Sequence, residues 1–311
     1  MSFLNRTFQK FLSFFVFPAG ILAFNFFLFS PWFGGKGPAN LGSIEVSYVS
    51  MSKFLVENFP HLSWAPFWYL GFPFHVFYTP ILPVLTALLN VLGNISLWHA
   101  YRILTGLGLI LAPVSLYLMV FSLTRNRMAG AVSGFLYSII PSIFYFILPS
   151  GEVRADTFNQ EIIDPRRVVN LARWGEGPHI FSLIFLPLAG LFFFKAVKDR
   201  RPLNIFLTAL FTALTALTNA IGLYGLIILL ASIFIVEVFF EKKKRAALPA
   251  AVILMGGLTY GLIAFWYNLT FMGTFFGEGS GALKNWLAMF PWGVVALAGG
   301  FFLLLYLLKT I

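Results

Sequence analysis

Hydrophobic and polar positions divide this chain into long apolar runs separated by short polar stretches. Phe11 to Phe33, Arg102 to Thr124 and Met128 to Pro149 are three such runs; 178–195, 202–217, 219–240, 247–267 and 291–308 are five more. Each comes near the ~20 residues that carry a helix across a bilayer, and none shows the short alternating pattern of a membrane strand. The pattern predicts an all-α, polytopic helical membrane protein of about 8 full spans. Residues 81–97 are apolar but short, and two prolines, Pro80 and Pro83, stand at their start. If they crossed, Arg125, Arg127 and the Lys195 to Arg201 cluster would lie outside, against the tendency of loop cations to stay in the cytoplasm. We therefore read 81–97 as half-inserted, in or just after the first external loop.

That topology puts the N-terminus, with Arg6 and Lys10, in the cytoplasm, and places external loops at 34–77, 150–177 and 268–290. In the first loop, Ser47, Ser50, Lys53 and Glu57 fall on one helical face and Tyr48, Met51, Leu55 and Phe59 on another. This spacing predicts an amphipathic helix over 43–59 lying in the interface, its apolar stripe facing lipid or the aromatic stretch that follows. That stretch, Trp64 to Pro83, carries Trp68, Tyr69 and Tyr78 with Pro66, Pro73, Pro80 and Pro83, so it reads as short extended pieces and turns at headgroup depth. The second loop, 150–177, is the most polar part of the chain.

Composition sharpens this picture. The chain is 59% hydrophobic and 10% charged, against ~25% in ordinary soluble domains. It has no cysteine, which excludes disulfides, thiol catalysis and Cys-based metal sites. The net charge of +10 does not indicate a nucleic-acid partner, because its clusters, including Lys242 to Arg245, sit between apolar runs as cytoplasmic loop charges do. No small-residue cleavage site follows the first run, so it reads as a span and not as a signal peptide. Residues 1–311 form a single transmembrane domain, with eight of eleven carboxylates and all four histidines outside.

Candidate chemistry therefore gathers on the external face. Glu45 follows Ser43, a fitting N-cap, and a carboxylate in a first helical turn is stabilised by the helix dipole whether or not it does chemistry. Glu176 and His179 are three residues apart at the start of a run, on one face. They can orient a substrate, join a divalent metal, or sit hydrated at the interface; two ligands alone do not make a metal site, and the cofactor stays open. Arg154, Arg166, Arg167 and Arg173 can grip a phosphate through bidentate forks or balance Glu152, Asp156, Glu161 and Asp164 in the same loop. His61 and His75 read as interfacial, and Glu237 as a side chain that snorkels. Asn94-Ile95-Ser96 and Asn268-Leu269-Thr270 match the glycosylation sequon, a short and permissive pattern.

An acidic residue soon after the first span, an amphipathic helix, and then Trp64, Pro66, Trp68, Gly71, Pro73, Phe77, Tyr78 and Pro80 resemble the GT-C fold of integral-membrane glycosyltransferases. Within that group the chain is most similar to the membrane domains named 6-pyruvoyl-tetrahydropterin synthase-related, a label without pterin chemistry. Gly175-Glu176-Gly177-Pro178-His179 looks like a second motif, and the likeness covers 10–195, with 196–311 as additional spans. It implies inverting transfer of a sugar from a polyprenyl-phosphate donor to an acceptor on the external face of the plasma membrane, in cell-envelope chemistry. By position it makes Glu45 the general base, and Glu176, His179, Arg173, Arg166, Arg167, Trp68 and Tyr78 substrate contacts. Two departures stand out: the family's usual residue at Glu45 is Asp, and Val49 stands where a His is frequent. Members are also usually longer, so the chain is either a piece of a longer protein or a reduced relative.

Two other classes compete. A non-catalytic membrane assembly protein keeps the fold and needs no base. A transporter usually carries charges at mid-membrane depth, which these runs lack, whereas a lipid flippase can do without them.

Overall fold

One helix, Leu97–Thr124, organises the rest, and its sequence explains its length. Ser96 accepts a hydrogen bond from the His99 amide at 3.3 Å, pairing one of the donors that a first turn leaves open. At the other end Arg125 turns left-handed and returns its N–H to the Phe121 carbonyl. The 28 residues between span roughly 42 Å at ~1.5 Å each, more than the ~30 Å apolar core of a bilayer.

The computed structural model describes residues 2–34, 43–67, 70–140, 165–240 and 248–277, with isolated helical positions between 293 and 308. The helices are α1 (Ser2–Phe29), α2 (Ser43–Asn58), α3 (Phe74–Phe77), α4 (Ile81–Gly93), α5 (Leu97–Thr124), α6 (Arg127–Ile139), α7 (Arg166–Ala172), α8 (Gly177–Ser182), α9 (Phe185–Asp199), α10 (Pro202–Thr218), α11 (Ala220–Phe240), α12 (Leu248–Ile263) and α13 (Leu269–Gly277), with a 3-10 turn over Ser30–Phe33. Among the described residues the only β-like feature is an antiparallel bridge between Ala65 and Phe72, inside the aromatic stretch.

Packing around α5 runs by small residues, since lipid offers helices little hydrophobic reason to associate and close approach has to supply contact. At Gly108 a Cβ would stand 2.8 Å from the Ile180 carbonyl oxygen, so α5 and α8 meet backbone to backbone. On its other side α5 offers Tyr117 to Ile21 of α1 and Ala131 of α6. Asn126 starts α6 by accepting from the Met128 and Ala129 amides at 2.9 and 3.2 Å.

Successive contacts of Tyr101 with Gly177, Gly108 with Ile180, and Met119 with Gly190 show that α5 runs parallel to α8 and α9. Arg125 therefore shares one end of the bundle with the Lys195 to Arg201 cluster. The end of α11 joins them, because Lys198 Nζ lies 3.2 Å from Glu237 Oε1. Lys242 to Arg245 lie outside the described residues. Glu45 and Gly175 sit at the opposite end, beside the first turns of α5.

The helix of the first loop forms as its periodicity predicts, over Ser43–Asn58. Tyr48, Met51 and Leu55 are buried, while Phe59, past the helix end, is 77% exposed. Their partners include the aromatic stretch: Tyr48 stands edge-on to Tyr78 at 5.8 Å, and Phe54 packs on Phe67 and Phe74 at 5.4 and 5.3 Å. Val49, Ser52 and Phe54 are buried as well, so α2 is enclosed by protein on more than one side.

The structure does not support the count of about 8 full spans. Among the described residues four helical segments are long and apolar enough to cross: Phe15–Phe33, Leu97–Thr124, Gly177–Asp199 and Ala220–Phe239. Pro202–Thr218 and Leu248–Ile263 are 17 and 16 residues long, about 25 Å, and stop short of the bilayer's apolar thickness. The run from Met128 is helical to Ile139 only within the described residues, and that at 291–308 lies largely outside them. The stretch read as half-inserted is the 13-residue α4, roughly 20 Å long, ended by Asn94 in a left-handed conformation.

The shared end of Arg125 and Arg201 is testable in a chain without native cysteine. With single cysteines at Gly93, Thr124 and Arg201, an impermeant maleimide should label Thr124→Cys and Arg201→Cys from one face and Gly93→Cys from the other. Labelling of Gly93→Cys and Thr124→Cys from one face would overturn the arrangement.

Candidate functional site

The site is built on the strap between α7 and α8. Gly175 adopts φ +72°, and a Cβ there would stand 2.5 Å from the Glu45 amide nitrogen. Only glycine satisfies both the left-handed backbone and the close approach of α2. The strap is held by Tyr101, whose hydroxyl donates to the Gly175 carbonyl at 2.9 Å, and by the Glu176 amide, which donates to the Asn170 carbonyl at 3.0 Å. Gly177 lies directly against the same Tyr101 hydroxyl, leaving no room for a side chain. Two loops that are distant in sequence thus meet at one point, with Glu45 behind Gly175 and Glu176 immediately after it.

Beside the strap is a cavity of about 290 Å³ lined by Arg166, Asn170, Trp174, Glu176, His179 and Ile221. It joins one cation, one carboxylate, one imidazole, an amide and an aromatic face. Burial pushes the Glu176 carboxyl above its ordinary range. Behind His179, whose Nδ1 is buried without a hydrogen-bond partner, Asn219 Oδ1 accepts from the Gly222 amide at 2.6 Å. Among the described residues no three metal-ligating side chains converge, so Glu176 and His179 remain a pair.

Glu45 does not line this cavity. It is 3% exposed, and its Oε1 lies 3.4 Å from Arg102 Nε, close enough for an ion pair although the two atoms are misaligned for a hydrogen bond. Burial raises the pKa of Glu45, and the Arg102 charge opposes that rise. Arg102 in turn stacks over Trp32 at 4.7 Å, and Trp32 Nε1 donates to Thr105 Oγ1 at 3.1 Å. The first-loop carboxylate is therefore locked to α5 and to the turn after α1.

The remaining candidates divide. Arg166, Glu176 and His179 come together in the cavity. Arg173 is exposed and lies over Trp174 at 5.4 Å. Tyr78 stays in the aromatic cluster, and its carbonyl accepts from Trp266 Nε1 at 2.8 Å. Trp68 lies outside the described residues, as do Arg154 and the four carboxylates read as loop partners. Arg167 turns away from the cavity into the bundle, where Nη1 donates to the Leu109 carbonyl at 2.6 Å and Nη2 to Asn25 Oδ1 at 2.8 Å. Its expected role as a phosphate contact is replaced by one that satisfies buried backbone, because Pro113 has no N–H to offer Leu109.

The sequence reading did not anticipate Arg102, Trp174, Asn170 or Ile221. For Arg102 a signal exists: an arginine one turn inside a long apolar helix calls for a carboxylate partner. For Trp174 the signal is helical spacing, since 166, 170 and 174 share a face.

No protein-family model and no curated protein matches the sequence. Among solved structures, the chain is similar to the archaeal oligosaccharyltransferase AglB from Archaeoglobus fulgidus, in complex with an inhibitory peptide and a dolichol-phosphate. The TM-score is 0.52 at 17% identity, over 79% of this chain and 29% of that one. This chain thus spans less than a third of that protein's length. The likeness establishes a fold shared with part of that protein, in agreement with the apolar helices of an integral membrane protein.

Two outcomes test the strap. A carboxylate whose pKa is raised by burial costs stability while it is charged; the cost is present above its folded pKa and absent below its unfolded value near 4.5. Glu176→Gln should therefore raise the melting temperature in detergent at pH 7, with the gain disappearing as pH falls below ~4.5. A gain that persists at acid pH would overturn this account. Gly175→Ala should destabilise by ~2 kcal/mol or more, through φ and the clash with Glu45, in a denaturation series.

Proposed function

We propose that the protein is a GT-C-like membrane glycosyltransferase that moves a sugar from a polyprenyl-phosphate-linked donor to an acceptor, with inversion. The supporting sequence resemblance is to the 6-pyruvoyl-tetrahydropterin synthase-related membrane domains. The end holding Glu45 and Glu176 is assigned to the extracytoplasmic face of the plasma membrane, and the N-terminus to the cytoplasm, because the opposite end collects the loop cations. The observation that carries the reading is the cavity itself, where Arg166 faces the same space as Glu176, His179 and Trp174.

The chemistry asks for opposed charges. An acceptor hydroxyl attacking the anomeric carbon must lose a proton on one side, while the departing lipid phosphate gains charge on the other. Arg166 is the cation for the phosphate, a guanidinium being suited to two phosphate oxygens at once. Glu176 is the carboxylate that faces the cavity, and its raised pKa brings it closer to the acceptor proton it takes. Glu45, the base implied by family position, stands behind Gly175 paired with Arg102, so it reaches a substrate only when that pair opens. Trp174 offers a flat apolar face to a sugar ring.

A second reading, a non-catalytic assembly protein that binds lipid phosphate, draws support from one observation: the expected base is already neutralised by an ion pair.

Native mass spectrometry in detergent tests the shared step. Purified protein should retain a C55 polyprenyl phosphate but not the polyprenol of equal length, and Arg166→Ala should weaken retention about tenfold or more. Equal retention of phosphate and alcohol would sink both readings. Turnover separates them: with a competent polyprenyl-phosphate sugar, Glu176→Gln should lower transfer by ~10²–10⁴ while keeping the lipid, whereas an assembly protein shows no transfer to lose.

A further inference from the structure

α7 is a seven-residue helix with two faces. Arg166 and Asn170, followed at the same spacing by Trp174, line the cavity, while Arg167 and Leu171 are buried against the bundle. So short a helix cannot hold its position by intrinsic stability, and something outside it must fix where the cavity face points.

The anchor is Arg167. Pro113 interrupts α5 and lacks the N–H that would pair with the Leu109 carbonyl four residues before it, and Arg167 Nη1 fills that place at 2.6 Å. Its Nη2 donates to Asn25 Oδ1 at 2.8 Å, and Asn25 Nδ2 donates to Ser138 Oγ at 2.8 Å and to the Ile21 carbonyl at 2.8 Å. The guanidinium also lies over the rings of Phe29 and Tyr137, at 5.2 and 5.1 Å. One side chain thereby ties α7 to α1, α5 and α6.

We infer that Arg167 is a positioning residue: it pins α7 to the proline-freed carbonyl of α5 and so sets where Arg166 and Trp174 stand across the cavity from Glu176 and His179. What the cavity binds rests on the proposed function; the pinning of α7 does not. Burial lowers the Arg167 pKa to about 10, so the anchor is charged at neutral pH.

Four proteins decide it: wild type, Arg167→Ala, Pro113→Ala and the double variant. Arg167→Ala should lower the melting temperature by about 5 °C or more, speed amide exchange in residues 168–173, and weaken C55 polyprenyl phosphate about tenfold or more. In the double variant the Pro113→Ala change supplies an N–H to the Leu109 carbonyl, so much of the lost melting temperature should return while fast α7 exchange and weak lipid retention persist. A purely structural arginine predicts that all three return together, and that result, or unchanged α7 exchange in Arg167→Ala, would overturn the inference. If Arg167→Ala does not fold, Arg167→Lys, whose single ammonium lacks the two-nitrogen fork that meets Leu109 and Asn25, carries the same comparison. If wild type retains no polyprenyl phosphate, the proposed function fails, and the exchange data still decide the anchor.

Discussion

A carbonyl left bare inside an apolar bundle has no water to turn to, and α5 contains one at Leu109 because Pro113 cannot pair with it. The structure answers with a charged side chain from a short helix 58 residues further along the chain. This is a costly solution, since an arginine must leave water to supply it. The cost is moderated by converting the charge into several hydrogen bonds and two aromatic contacts. The packing of α1, α5 and α6 and the placement of α7 are consequently one problem with one solution.

At the carboxylate end the same economy recurs through glycine and tyrosine. Tyr101 holds the strap by its hydroxyl, and Gly175 and Gly177 allow that strap to press on α2 and α5 without side chains in between. The two acidic residues are thus neighbours in different environments. Glu45 is compensated by Arg102 and sealed, while Glu176 is desolvated and opens on the cavity. Under the proposed function, this difference in surroundings gives the two carboxylates different tasks.

Much of the fold was legible because it follows from periodicity and local capping. The α2 helix, the shortness of α4 and the new apolar run from Met128 that α6 opens all lie in short windows of sequence. The cavity was half legible: Glu176 and His179 announce themselves as polar groups opening an apolar run. Arg167 did not, because an arginine next to another arginine in a polar loop looks solvated. Only three-dimensional proximity to a proline in a distant helix distinguishes it from Arg166. Span number was less legible for a related reason, since hydropathy counts apolar residues but cannot see where a helix stops. Thr218 and Asn219 end α10 inside an apolar stretch.

Order of synthesis gives the Arg167 anchor a further meaning. Chains are made from the N-terminus, so α1, α5 and α6 exist before residue 167 is added. Until then Asn25 and the Leu109 carbonyl wait without their final partner. The first half of the bundle is therefore left unfinished by its own sequence, and the arginine that completes it arrives on the same short helix as the cavity face. In the growing chain, closure of the early helices and construction of the cavity become a single late event.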